Sequence, residues 1–583
     1  MAGFDIIIRN GTLVDGTGGE PYIADIAISG NRIAAIGDVR EQGAREIDAA
    51  RRIVTPGFVD VHTHYDGQAT WTSRLTPSST HGVTTAIMGN CGVGFAPCRP
   101  EDRQQLIRLM DGIEDIPEVV LSEGLPWDWE SYPDYLDHIA RNFYDINIGG
   151  YLPHSALRVY AMGRRGLERE PATPADIARM RRMLGKALEA GAFGLATSQS
   201  LFHRASDGRP IPTLDTSIEE MTGLAAEIKA FGRGVFQCVI EYEDIDHFLG
   251  QVGPVARDVG IPLFFSMSES NHDPAHSRRL LDRVAELNRL HGTNVKAQIF
   301  ARGVGFILGH HLTLNPFSLT ETYKSLGALE PEERLAALRD PAIKARILSE
   351  PAAADPRLPL AVLVRDFTRM FPLGDPPDYE PAPETSIATA AARLGIPPEA
   401  LAYDLLLEKD GRNCLYLIVN NYADMSLEGA REIMLRDDTI LGLGDAGAHC
   451  GTICDGAYPT FMLTHWVRDR DRGARVPLAW AVKALSRDTA AAIGLDDRGI
   501  LAPGYRADLN IIDLKRLRLR APELVFDMPG NSRRLLQRAD GYDYTIVGGV
   551  ITYRDGEPTG ALPGRLVRGP QPAPSRHAAS WKA

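Results

Sequence analysis

The stretch GFVDVHTHYDG, residues 57–67, places two histidines, His62 and His64, directly after a short apolar run. The preceding residues, RIVTPGFVDV, are typical of a β-strand that ends where the histidines begin. In a strand, residues i and i+2 point to the same side, so both imidazoles face one point. Two converging neutral imidazoles favour a divalent metal ion, most often zinc. A pair of surface histidines is the alternative, because two residues alone specify little.

Three further polar residues follow other apolar runs. HGVTTAIMGNCG contains Cys91 at the end of a strand-like run, and ILGLGDAGAH leads into Asp445 and His449. Catalytic groups of barrel enzymes lie at the carboxyl ends of the strands. A thiolate and a carboxylate that converge on two imidazoles would bind a metal ion and leave a position open for water. The alternatives are that Cys91 is a small buried thiol and Asp445 a turn residue.

Short apolar runs alternate with amphipathic helical stretches over most of the chain. One predicted helix spans residues 173–190, begins with a capping pattern at Thr173 and Asp176, and ends at Gly191. Such alternation predicts a parallel sheet, and about eight repeats close a (β/α)8 TIM-like barrel, an α/β fold. We expect this barrel over residues 57–490, with insertions at about 99–138 and 315–400 that lie over the active-site face.

The two ends of the chain show a different pattern. Residues 1–56 and 491–563 both contain short alternating apolar and polar runs between Asn-Gly, Gly-Asn, Gly-Gly and Asp-Gly turn signals. We expect them to build one small β-sandwich together. Residues 564–583 are predicted to form a loose, flexible tail.

Composition limits the partners of this 583-residue chain. Its formal net charge of −13 and the absence of a basic block argue against nucleic acid or an anionic membrane and favour a small-molecule substrate. No leader-like start and no apolar run of about 18 residues occurs, so we expect a cytoplasmic protein. Six cysteines are too few for a disulfide framework. Cys450 and Cys454 form a CxxxC pattern, for which a metal clip is the less favoured interpretation.

Six stretches together carry a family resemblance: PGFVDVHTH, HGVTTAIMGNCG, GGYLPHSALRVYAMG, ALEAGAFGLATS, GLGDAGAH and GILAPGYRADLNIID. With them the chain resembles the amidohydrolase superfamily, specifically its N-acyl-D-amino-acid deacylase (D-aminoacylase) branch, over nearly its whole length. The resemblance implies a metal-dependent barrel in which His62 and His64 are ligands and Cys91 is a bridging or shared thiolate ligand. It also implies that Asp445 binds metal and transfers a proton.

The activity that the resemblance implies is hydrolysis of a carbon–nitrogen bond other than a peptide bond. We expect deacylation of a linear N-acyl-amino acid, in particular an N-acyl-D-amino acid, by a metal-activated water with Asp445 as the proton shuttle. One alternative is another amidohydrolase reaction, on a cyclic amide or a different amide or ester. The other is a non-catalytic binding barrel that has lost metal ligands.

The chain departs from the family pattern at two places. The family has further histidine ligands after the fifth and sixth strands, whereas this chain has GVFQCVIEYED and IPLFFSMSESNHD there. One zinc ion is therefore favoured and two are allowed. Glu241 and Glu269 are candidate extra ligands, although acidic residues after strands are more often solvated or salt-bridged.

Substrate contacts are predicted less directly. His154, Arg158, Arg302 and His449 lie near predicted strand ends, and arginine suits a carboxylate or an acyl oxygen. Each is equally compatible with a structural role, in which the side chain binds backbone carbonyls and stabilises a loop. The expected partner is a small-molecule amide, and the sequence leaves self-association into a homo-oligomer open.

Overall fold

The computed structural model describes residues 3–352 and 363–575. A three-stranded and a six-stranded parallel sheet share the run 147–153, where Tyr151 separates two strand segments. A parallel bridge between Thr63 and Ala446 joins the first strand to the last, so the strands form a ring. The predicted TIM-like barrel is confirmed. In ring order its strands are Phe58–Asp60, Val83–Met88, Asn147–Gly150 with Leu152–Pro153, Gly194–Gln199, Val235–Ile240, Leu263–Met267, Val295–Ile299 and Thr439–Leu441.

Helices connect these strands. The predicted helix is present as Pro174–Ala190, with a reciprocal capping box between Thr173 and Asp176 and with Gly191 in the left-handed region at φ +111°. Glycine tolerates that backbone conformation and so ends the helix cleanly. The other helices around the barrel are Gln68–Trp71, Arg103–Glu114, Glu118–Gly124, Tyr132–Arg141, His154–Met162, Arg164–Leu167, Ile218–Phe231, Ile245–Gly253, Pro274–His291, Glu428–Met434, Tyr458–Phe461, Leu478–Leu485 and Arg487–Ala492.

Both ends of the chain contribute to one nine-stranded sheet. The strand Ile53–Pro56 pairs antiparallel with Leu509–Ile512 and thereby joins the two ends. Buried isoleucine, leucine and valine side chains form the core of this unit. The prediction that the two termini build one small β-sandwich together is confirmed for their shared β-structure, which is this nine-stranded sheet and is called the β-unit. Its remaining strands are Phe4–Leu13, Tyr22–Ser29, Arg32–Gly37, Gly43–Asp48, Tyr542–Val547, Val550–Arg554 and Glu557–Pro558.

The second insertion is larger than predicted. Val304–Leu308, Met370–Pro372 and Leu415–Asn420 pair as an antiparallel three-stranded sheet outside the barrel ring. A separate hydrophobic core, which includes Phe317 and Tyr403, holds helices against that sheet. These helices are Glu321–Ser325, Pro331–Leu338, Pro341–Ser349, Ile387–Leu394 and Pro398–Gly411. Part of the predicted insertion, residues 353–362, lies outside the described residues.

The predicted loose tail is ordered over its first part. Gly564 bridges Tyr144, and Leu566 forms a parallel bridge with Ile148 at the third barrel strand. The Val567 N–H donates to the Ile148 carbonyl at 2.7 Å, so backbone pairing fixes this segment although its composition is loop-like. Residues 576–583 of the predicted tail lie outside the described residues. None of the helices that the structure describes has the length and apolar character needed to span a bilayer.

Candidate metal centre

Three of the predicted ligands come together at the carboxyl ends of the first two barrel strands. One ligand atom from each of His62, His64 and Cys91 lies within 4.8 Å of the others. The Cys91 Sγ lies 3.3 Å from His62 Nε2, and all three residues are buried. Among the described residues, this is the one group of three or more such side chains that is close enough to share an ion.

Two carboxylates border this cluster. Asp445 Oδ1 lies 3.2 Å from His62 Nε2 and 3.6 Å from His64 Nε2. Glu114, at the end of the helix Arg103–Glu114, places Oε2 3.4 Å from His64 Nε2 and 3.6 Å from His449 Nε2. Asp445, the predicted carboxylate ligand, therefore lies beside the cluster, and the first insertion supplies a second carboxylate that the sequence did not indicate.

Two glutamines fix the orientation of the ligands. Gln298 Oε1 lies 2.9 Å from His62 Nδ1, which assigns the proton to Nδ1 and leaves the Nε2 lone pair facing the cluster. Gln237 Oε1 accepts from the Cys91 N–H at 3.2 Å, and its Nε2 donates to Gln298 Oε1 at 3.5 Å. Both glutamines are fully buried. They form a polar network inside the barrel behind the histidines.

The backbone is strained at the residues that point into the site. Cys91, Asp445 and His449 have φ values of +55°, +43° and +51°. Non-glycine residues rarely adopt this left-handed conformation, and such outliers cluster at functional sites. Each lies in a short non-strand segment that follows a barrel strand.

Burial and neighbouring charges control protonation. Burial lowers the pKa of His62 to about 4 and raises the pKa of Cys91 to about 12. Burial also raises the pKa of Glu114 to about 7. Burial opposes ionisation of Asp445, but the nearby imidazoles of His62, His64 and His449 together lower its pKa below the usual range. Asp445 is therefore a carboxylate at neutral pH.

The donor set suits a divalent cation. Both ring nitrogens of His64, Oδ1 of Asp445 and Oε1 of Glu114 are buried and have no hydrogen-bond partner among the described residues. Buried polar atoms without partners are costly unless another group satisfies them. Two imidazoles, a thiolate and a carboxylate are together a zinc-type ligand set. His62, His64, Cys91 and Asp445 therefore fit the metal that the fold implies.

A cavity of about 640 Å³ opens beside the centre, and Cys91, Glu114, Asp445 and His449 form part of its wall. The rest of the wall comes from residues 111–115 of the first insertion, the loop 202–206, the segment 304–314 and the loop 452–455. This volume holds a small organic molecule. Of the four predicted substrate contacts, His449 is the one that lines the cavity.

His154 and Arg158 lie in a different, buried network. His154 Nε2 lies 3.0 Å from Glu220 Oε1 and Nδ1 lies 2.8 Å from Thr197 Oγ1, while Arg158 also binds Glu220. Neither lines the cavity. Their predicted substrate role is not supported by this placement, because both already bind Glu220 away from the cavity.

Three other candidate residues lie outside the cavity lining and the ligand cluster: Arg302, Glu241 and Glu269. Arg302 is buried, binds Asp455 and stacks over the Tyr379 ring at 3.8 Å, so its guanidinium does not reach the cavity. Glu241 accepts from the Ser200 hydroxyl and the Leu201 N–H, at 2.8 and 2.7 Å. Neither Glu241 nor the buried Glu269 belongs to the ligand cluster. Cys450 and Cys454 are free, buried thiols that no third ligand among the described residues joins.

A ligand cluster of this kind at the carboxyl ends of barrel strands, beside a substrate-sized cavity, is typical of metal-dependent hydrolases. The chain belongs to the amidohydrolase family, whose model matches residues 45–553. The expected class, a hydrolase of carbon–nitrogen bonds other than peptide bonds, is confirmed by this membership.

Known proteins are similar along the whole chain. The D-aminoacylase of Alcaligenes xylosoxydans xylosoxydans is 25% identical over 571 residues, which cover 97% of each chain. The N-acyl-D-aspartate deacylase of the same organism is 34% identical over 227 residues, 39% of this chain and 42% of its own. A solved D-aminoacylase, described as having a binuclear metal centre with one-metal activation and second-metal attenuation, superposes with a TM-score of 0.65 at 24% identity. That superposition covers 97% of this chain and 100% of the other.

Proposed function

We propose that this chain hydrolyses the linear amide bond of N-acyl compounds with one zinc ion held by His62, His64, Cys91 and Asp445. The observation that carries the proposal is the convergence of the His62, His64 and Cys91 ligand atoms within 4.8 Å, with Asp445 alongside. Relatives named for action on N-acyl-D-amino acids make the N-acyl amide the bond to test first.

The bound ion and the residues around it would have different roles in catalysis. An ion bound by them would polarise an amide carbonyl and make water more acidic. Asp445 is the proton carrier that we propose, because it lines the cavity and its carboxylate is ionised at neutral pH. It would accept a proton from the attacking water and deliver it to the leaving nitrogen. Gln298 keeps the proton of His62 on Nδ1, away from the reacting groups.

One ion is favoured over two for a structural reason. The fifth and sixth barrel strands, Val235–Ile240 and Leu263–Met267, contain no histidine. Gln237, on the fifth strand, uses its amide to bind Cys91 and Gln298. A neutral amide engaged on both sides is a poor ligand for zinc compared with an imidazole.

The cavity supports an N-acyl substrate. His449 and the segment 304–314 line a space that accommodates an acyl chain next to the ligands.

The cysteines bear on the cellular location of the enzyme. All six cysteines are free. Free thiols suit a reducing compartment, so we propose that the enzyme works in the cytoplasm.

The test combines metal content with turnover. The purified protein should contain about one zinc per chain by elemental analysis and should release amine from N-acyl substrates, including N-acyl-D-amino acids. His64→Ala should lose both the metal and the turnover. His272→Ala is the matched control, since His272 is an exposed histidine after the sixth strand.

The outcomes separate the alternatives. Two ions per chain with full activity would overturn the mononuclear proposal but keep the hydrolase. Zinc-loaded protein without turnover on linear or cyclic amides would leave a binding barrel and overturn the proposed activity.

A further inference from the structure

The cavity beside the metal centre is acidic. Five carboxylate side chains line it, those of Asp111, Glu114, Asp115, Asp445 and Asp455, and among the described residues no lysine or arginine does. The two histidines in its wall add little positive charge, because burial lowers the pKa of His203 to about 4 and also lowers that of His449. An anionic ligand group would therefore find no cationic side chain in this wall.

Two of these carboxylates are held in place by neighbouring groups. Asp115 accepts from the Gly451 N–H at 3.2 Å and from the Thr452 hydroxyl at 3.1 Å. Asp455 pairs with the buried Arg302, and Arg302 itself does not line the cavity. A substrate carboxylate cannot displace Asp455 from Arg302 without leaving a carboxylate buried and unpaired.

Another part of the cavity lining is apolar. Val304, Phe306 and Leu314 line it, and Phe202, 55% exposed, stands on the neighbouring loop. The cavity lining thus combines apolar side chains with carboxylates. An acyl chain gains from contact with the apolar side chains, and an uncharged or cationic group is favoured next to the carboxylates.

We propose that the substrates are N-acyl compounds whose leaving amine carries no free carboxylate: N-acyl amines, amine-bearing N-acyl amines, or N-acyl amino acids with a masked carboxyl group. This inference rests on the proposed function and narrows it. In the reaction, the water oxygen bonds to the acyl carbon, the carbon–nitrogen bond breaks and a water proton moves to the nitrogen. The products are a carboxylic acid and an amine. A free carboxylate on the amine side is disfavoured because Asp111, Asp115 and Asp455 line the cavity and, among the described residues, no lysine or arginine lines it to pair with that carboxylate.

The experiment uses three compounds that share the same acyl group, butanoyl. They are N-butanoyl-D-phenylalanine, its primary amide, and N-butanoylphenethylamine. Release of butyrate by the zinc-loaded full chain gives kcat/KM for each. The two uncharged compounds should exceed the carboxylate by at least about tenfold. Asp111→Asn and Asp115→Asn should each narrow this ratio, whereas Asp38→Asn, in the distant β-unit, should leave it unchanged.

The result that overturns the inference is a higher kcat/KM for the free carboxylate than for both uncharged compounds. If none of the three is hydrolysed by zinc-loaded protein, the proposed function fails separately. Calorimetric binding of the same three intact compounds then decides the charge preference. Tighter binding of the carboxylate would overturn the inference, and tighter binding of the uncharged compounds would support it.

Discussion

Gln298 Oε1 and His62 Nδ1 form a 2.9 Å hydrogen bond that connects the seventh barrel strand to the first ligand. Because Nδ1 carries the proton, His62 presents Nε2 to Cys91 at 3.3 Å and to Asp445 at 3.2 Å. Partners that orient a metal-binding histidine contribute to metal affinity without touching the metal. Gln298 is therefore part of the centre even though it follows no recognisable motif.

Replacing Gln298 should weaken metal binding. Gln298→Leu removes the acceptor for His62 Nδ1–H, so the ring loses its fixed tautomer and orientation, and we expect zinc affinity to fall by about tenfold or more. Competition with a chromogenic chelator measures the change in Kd. Gln42→Ala, at an exposed position in the β-unit, is the control. An unchanged Kd in Gln298→Leu would contradict the orienting role.

Asp445 should contribute more to turnover than to metal retention. Asp445→Asn keeps the shape of the side chain but removes the proton acceptor, so we expect kcat at saturating zinc to fall by about 100-fold or more. Steady-state kinetics at two zinc concentrations separates this loss from weaker binding. Asp437→Asn, exposed just before the eighth strand, should behave like the parent protein. Recovery of kcat in Asp445→Asn by added zinc would show that Asp445 is a ligand only.

The sequence predicts the parts of the site that follow local rules. His62 and His64 lie two residues apart after a strand, and Cys91 and Asp445 lie at strand ends, so the barrel fold itself brings them together. Glu114 could not be predicted in the same way. It belongs to an insertion helix and reaches His449 through tertiary packing across 335 residues of chain, a contact that no spacing rule encodes.

The remaining differences between the sequence-based predictions and the structure concern buried polar residues. Gln237 and Gln298 lie inside apolar strand runs, where a glutamine gives no sign of facing a ligand. Arg302 and Arg158 have the right chemistry for a carboxylate, but protein carboxylates, Asp455 and Glu220, already bind them. The sequence gives the type of each side chain, whereas its partner depends on the packed structure.

Glu380 should make the stability of the fold depend on pH in the acidic range. Burial alone would raise the pKa of Glu380, but hydrogen bonds from His465 at 2.7 Å and Arg470 at 3.0 Å lower it to about 2. Because the folded-state pKa lies below the ordinary 4.5, this carboxylate stabilises the fold fully above that pH. Its contribution is lost as the pH falls from about 4.5 toward 2.

Glu380→Gln tests this dependence. The variant leaves the buried Arg470 with Glu428 as its remaining carboxylate partner. At pH 7 we therefore expect it to unfold at lower urea, with a loss of about 3 kcal/mol in the free energy of unfolding. Toward pH 3 the difference from the parent protein should shrink, because below about pH 4.5 the Glu380 carboxyl of the unfolded parent chain binds a proton that the folded chain does not, which favours unfolding of the parent. Glu384→Gln, in a nearby loop without a described side-chain partner, is the control. A difference that is constant with pH would contradict the ionic role of Glu380.

The ordered part of the C-terminal segment should stabilise the barrel. Residues 564–571 pair with Tyr144, Ile148 and Leu495 through backbone bridges. A chain that ends at residue 575 keeps these bridges, whereas one that ends at residue 563 exposes the backbone groups at the third strand. We expect the shorter chain to unfold at a temperature about 5 °C lower or more than the longer chain.

A point substitution tests the same contact without truncation. A Cβ on Gly564 would lie 2.0 Å from the Ile146 carbonyl oxygen, so Gly564→Ala should also lower the unfolding temperature. Gly560→Ala is the comparison, because nothing lies within 4 Å of a Cβ there, although its φ of +88° adds some backbone strain. Calorimetry of the four proteins measures the effect. Equal unfolding temperatures for the chains ending at 563 and 575 would show that the bridges contribute nothing, and the segment would then be the loose tail that its composition predicts.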